Sequence, residues 1–178
     1  MNGADLRGLG KEYAALDGAD LHGAYLTGAD LSGATFTGAD LAGANLSGCD
    51  LSGADLTGAN LRAAKLSEVY LTRADLSGAD LSGADLTGAL IDYAILREIA
   101  ADQAQCVTAN IWFCDLRGAS FTGADFARSQ IADCELDGAI FKGAIMASTA
   151  IANPAHPAFE DAVWDELDQD FLSTGGAA

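Results

Sequence analysis

The residues of this chain best suited to chemistry are two histidines, four cysteines and a group of aspartates near the C-terminus. His22 and His156 could ligate a metal or move a proton, and Cys49, Cys106, Cys114 and Cys134 could bind zinc or form disulfides. Neither histidine is placed to join the cysteines, and no CxxC pair is present. Asp165, Asp168 and Asp170 suggest a calcium loop, but the glycine and terminal glutamate of such a loop are missing; a solvated acidic helix face accounts for them. No phosphate-binding loop, dinucleotide fingerprint or Ser-His-Asp arrangement is readable. These residues predict no catalytic group, no cofactor and no metal.

The elements that hold them explain why. From Ala14 to Asn153, 28 consecutive five-residue units stay in phase, as in Ala39-Asp40-Leu41-Ala42-Gly43 followed by Ala44-Asn45-Leu46-Ser47-Gly48. The central position is Leu, Ile, Phe or Met in 26 units, the exceptions being Ala101 and Cys106, and the position two before it is always small or β-branched. A period of five fits neither helix nor strand. Two inward residues per five, one large and one small, suit a chain that turns a corner in every unit. Four corners close a coil of about 20 residues, and coils stack at about the 4.8 Å strand spacing. Glycine in the fifth place suits a corner that needs positive φ.

The unit A(D/N)LxG resembles the defining motif of the pentapeptide-repeat proteins, over roughly four-fifths of the chain. The resemblance implies an all-β fold, a right-handed quadrilateral β-helix of about seven coils. It does not imply one function. Relatives include cyanobacterial proteins and bacterial proteins that bind DNA gyrase, protect it from quinolones or peptide toxins, imitate DNA in shape and charge, and dimerise through their C-terminal ends. Residues 1–13 are expected as an N-terminal cap, 14–153 as the β-helix and 154–178 as a C-terminal helix and tail.

A net charge of −17 disfavours direct binding of nucleic acid or anionic membrane, and suits surfaces that normally hold a polyanion. No apolar run approaches a membrane span, and Met1–Asp5 lacks the features of a signal peptide, so a cytoplasmic location is expected. With residues 20 apart as vertical neighbours, Asp55 and Asp75 stack in one column, and Asp80 and Asp85 extend the outward acidic surface. Part of that acidity comes with the motif, since a short acceptor can bond local backbone. Asparagine would serve that bond too, yet Asp outnumbers Asn ten to three in these slots.

One face departs from this polar rule. Tyr70, Leu90, Tyr93, Trp112 and Phe113 fall on outward positions of one face, with Ile95 round the corner. Exposed apolar patches mark partner sites, unless the C-terminal tail folds over this one. In that tail Phe159, Val163, Leu167 and Phe171 recur every four residues amid acids, which predicts an amphipathic helix that caps the rod or dimerises it. The residues point to a non-catalytic protein-binding rod. Either it is a DNA mimic acting on a type II topoisomerase such as gyrase, or it is a scaffold engaging another protein through the aromatic face.

Overall fold

A computed structural model of the chain describes residues 2–10, 15–152, 156–160 and 162–163. The chain winds as a β-helix in which backbone bridges join residues 20 apart, all parallel: Asp20 to Asp40 to Asn60 to Asp80 on one side, Asp55 to Asp75 on the next. Each unit spends its backbone groups the same way. In the unit around Leu51, the Asp50 N–H donates to Ala29 O at 3.0 Å in the coil before. Leu51 N–H donates to Tyr70 O at 2.8 Å in the coil after, and Ala54 N–H closes the corner on Leu51 O at 3.0 Å. These bonds join each unit to the coil before, the coil after and its own corner, so the repeat extends by adding copies of itself.

The inward columns are dry. Leucines from Leu21 to Leu86 and the inward alanines between them are almost fully enclosed. Where the central column narrows, at Ala101 and Cys106, the coil above supplies Phe121 and Phe126 at the corresponding places, and all four are buried. The break in the pattern is thus an exchange of volume between coils, small below and large above. Phe121, Phe126, Phe141 and Phe159 then form one aromatic cluster, with neighbouring centroids 4.6–5.4 Å apart.

The corners impose the left-handed conformation on the fifth residue. Gly53 has φ of 67°, and a Cβ there would meet nothing within 4 Å. Gly53→Ala should therefore cost only the conformational penalty, about 1 kcal/mol, with no change of fold. A urea titration checks this, and a loss above about 3 kcal/mol would show a steric role that the open corner does not predict.

Both ends differ from the sequence expectation. Ala4-Asp5-Leu6-Arg7-Gly8, expected within a cap, already runs in the repeat: Asp5 bridges Tyr25 and Leu6 N–H donates to Tyr25 O at 2.7 Å. At the other end the expected amphipathic helix does not begin at Phe159. Pro157–Phe159 is a single 3-10 turn, capped by His156 Nδ1 accepting the Ala158 N–H at 3.2 Å. Val163 is extended and bridges Ile145 in parallel. The physical reason is the open edge of the last coil. Phe141 and Met146 amides donate to Ala158 O and Val163 O, bonds that an α-helix would leave unmade. Ile145 to Val163 spans two residues fewer than the regular step, and this shortened return places Phe159, 2% exposed, on Phe141. Leu167 and Phe171 lie outside the described residues.

Candidate functional site

On one side of the rod the corners change. Four short strands, β1 (Leu90–Asp92), β2 (Asn110–Trp112), β3 (Gln130–Ala132) and β4 (Ala150–Ile151), stack in parallel in that order. Ile91, Ile111, Ile131 and Ile151 fall in one register facing the core, so Leu90, Asp92, Asn110 and Trp112 face out. In the first two units the fifth residue is not glycine but Tyr93 (φ 58°) and Phe113 (φ 56°). A bulky side chain in this conformation costs roughly 1–2 kcal/mol, and nothing in the core requires an aromatic there.

The strand register brings these two rings together. Their centroids are 5.0 Å apart and their planes 8° from parallel, yet Tyr93 is 54% and Phe113 47% exposed. Trp112 stands one residue from the stack and is exposed, directly above Asp92 in the ladder. Asp92 Oδ1 is enclosed without a hydrogen-bond partner. Tyr70, exposed, lies in the same column as the half-buried Leu90, and below it the column continues as Asp50 and Asp30. Along this face charge gives way to aromatic surface. Ile95 is exposed in the neighbouring column.

The acidic residues are placed differently from one another. Asp55 and Asp75 are vertical neighbours; Asp80 follows Asn60 in a second column, and Asp85 follows Lys65 in a third. Each uses one oxygen as a corner brace. The amides of Thr57, Ser77, Ser82 and Thr87 donate to Oδ1 of Asp55, Asp75, Asp80 and Asp85 at 2.9–3.0 Å. Asn45 and Asn60 make the same bond. On the second oxygen, Asp55 accepts from the Thr37 hydroxyl at 3.1 Å and Asp80 from Arg62 at 3.0 Å. The hydrogen bond from the Thr57 hydroxyl holds the Asp55 carboxyl below the ordinary range. At Asp80 desolvation pulls the other way, and Ser82 with Arg62 still leaves it lowered.

Sequence reasoning missed how the acidic ladder ends. Arg97 and Arg117 both pair with Asp115, and Arg117 also reaches Glu135 at 3.1 Å. The signal was present, since Arg97 and Arg117 are 20 apart. The cysteines are inward, as their slots imply: Cys49, Cys106 and Cys114 are buried, Cys134 half-buried. Burial pushes the thiols of Cys49 and Cys106 up. Among the described residues no group of three His, Cys, Asp or Glu could hold a metal ion, and no helix is long and apolar enough to cross a membrane.

One known protein superposes on this fold, and others resemble the chain at lower structural similarity. QnrB1, a plasmid-mediated fluoroquinolone resistance protein, superposes with a TM-score of 0.60 at 19% identity, over 90% of this chain and 81% of its own. HetL, a pentapeptide-repeat protein involved in regulating heterocyst differentiation in the cyanobacterium Nostoc, is 24% identical over 92% of this chain and 86% of its own, with a TM-score of 0.30. A pentapeptide-repeat protein of the Arabidopsis thaliana thylakoid lumen is 25% identical over 75% of each chain, with a TM-score of 0.37. No curated protein matches the chain in sequence. The family model described as pentapeptide repeats matches residues 14–53, 54–91 and 104–143 in 8 copies. On the repeat, the ladder and this match, the chain belongs to the pentapeptide-repeat family.

Proposed function

We propose that the chain is a non-catalytic protein-binding rod, of about seven right-handed coils, that acts in the cytoplasm as a DNA mimic on a type II topoisomerase such as gyrase. The observation that supports this is the dual use of the aspartates. Because Oδ1 braces a corner, each carboxylate is held in place at coil spacing, so the rod carries an ordered polyanion rather than a cloud of mobile charge. A groove built for DNA phosphates recognises such an array, and the net charge of −17 steers the encounter. The fold shared with a fluoroquinolone resistance protein and the gyrase-binding relatives implied by the repeat point the same way. Self-association through the C-terminal end, where Ile140 and Ile145 remain exposed, completes this reading.

Gyrase supercoiling assays test it. The protein should inhibit supercoiling or counteract a gyrase poison at micromolar concentration, less so as salt rises. Changing Asp55, Asp75, Asp80 and Asp85 together to Asn keeps the corner bonds and removes the charge. That variant should lose most of the effect, about tenfold in the concentration needed. Undiminished activity would sink the electrostatic reading.

A second reading has its own support. Tyr93 and Phe113 occupy a strained conformation and remain exposed, which the fold does not require. A scaffold that engages a different protein through Tyr70, Leu90, Tyr93, Trp112 and Phe113 would account for them.

A further inference from the structure

One pair of inward residues has reactive chemistry that neither the core nor the partner surface uses. Cys114 and Cys134 occupy the same slot in successive coils. The residues on both sides of them are in register, Trp112 with Ala132 and Asp115 with Glu135. Their Cα atoms are therefore one coil step apart, about 4.8 Å, within the span that a disulfide bridges. Both thiols point inward along the same stack. Cys114 Sγ donates to Ile91 O at 2.7 Å, and Cys134 Sγ to Ile111 O at 3.4 Å, the equivalent carbonyl one coil on.

The two sulfurs differ in access. Cys114 is enclosed, whereas Cys134 is half-buried and lines a cavity of about 140 Å³ with Ile131, Asp133, Leu136, Ile151 and Ala152. That space holds several water-sized molecules. We propose that Cys114 and Cys134 form a reversible dithiol–disulfide site, with Cys134 reacting first with a small neutral peroxide in this cavity and Cys114 resolving the product. Asp133 at the cavity and the strongly negative chain oppose an anionic oxidant such as glutathione disulfide, which leaves a neutral peroxide as the fitting reagent. Contact with Cys134 and burial raise the enclosed Cys114 thiol, which leaves the accessible Cys134 as the sulfur that reacts first.

The chemistry balances within the pair. The Cys134 thiolate attacks one peroxide oxygen, the O–O bond breaks, hydroxide leaves and a sulfenic acid forms. The Cys114 sulfur then displaces that hydroxyl as water, its own proton going to the departing oxygen. Two thiols are oxidised by two electrons, and hydrogen peroxide is reduced to two waters. The bond would staple two coils immediately after Trp112 and Phe113. The proposal is independent of which partner the rod binds.

Hydrogen peroxide added to the reduced, purified full-length protein tests it. The expected product is a monomer lighter by about 2 Da, restored by dithiothreitol. After alkylation and trypsin digestion, the peptide holding Cys114 should be joined to the one holding Cys134. A Cys106→Ala background removes ambiguity, because Cys106 shares the first peptide. In Cys114→Ser, dimedone should label Cys134 at least about ten times faster than Cys49 or Cys106. The proposal is overturned if the parent forms no intramolecular bond, gives only intermolecular dimers or sulfinic acid, or if dimedone does not favour Cys134.

Discussion

Replacing Tyr93 and Phe113 by Gly and Trp112 by Ser should abolish binding through the aromatic face while leaving the melting temperature within a few degrees of the parent. Two opposing terms set the second half of that result. The stacked pair contributes about 0.5–1.5 kcal/mol that the change removes. Both residues sit at positive φ, however, where glycine relieves roughly 1 kcal/mol each, and neither ring is buried in the core. The terms nearly cancel. Binding has no such compensation, since an aromatic anchor buried in a partner contributes about 2 kcal/mol or more, and three are lost together. Pull-downs from cytosol with parent and variant rods measure it: a salt-resistant band present with the parent should vanish with the variant. Unchanged bands would end the aromatic-face reading and leave the acidic surface as the active one. Trp112 emission, read in a Trp164→Phe background, supplies the complementary check. Red-shifted and quencher-accessible fluorescence is expected for an open face, and blue-shifted, protected emission would show it already covered.

The largest loss of stability is expected from Phe126→Ala, about 3–5 kcal/mol. Phe126 is fully enclosed and touches Phe121 and Phe141, with centroids 5.2 and 5.4 Å away. Cys106 lies one coil below, so on that side no large side chain stands ready to fill the cavity. The urea midpoint should fall by more than about 1 M. Coupling makes this specific to the exchange of volume between coils. Cys106→Leu alone should overpack and cost about 1–3 kcal/mol, whereas in the Phe126→Ala background it should restore part of the lost stability. Simple additivity of the two changes would refute the complementarity of Cys106 and Phe126.

Most of the rod was legible from its letters. The period of five, the inward leucines, the outward aspartates and the 20-residue step follow from units that bond only to the coil before and the coil after. Even the vertical placement of Tyr93 under Phe113, or of Asp55 under Asp75, is arithmetic once the step is known. The step could equally have paired Ala101 with Phe121 and Arg97 with Arg117.

Other features depend on what meets what in three dimensions. A repeat specifies its neighbour, but the last coil has none, so its edge takes whichever segment can reach it. Phe159 and Val163 fall in a helical period in sequence, yet the open amides of Phe141 and Met146 take carbonyls at Ala158 and Val163, which stand in a short turn and an extended bridge. At Phe159 and Val163 local periodicity yields to unsatisfied backbone. The parallel stacking of the Tyr93 and Phe113 rings depends on rotamers at left-handed corners, and the asymmetry between Cys114 and Cys134 depends on a cavity that Cys134 lines. Identical slots in the repeat acquire different chemistry because packing, which the slot does not encode, decides which of them solvent can reach.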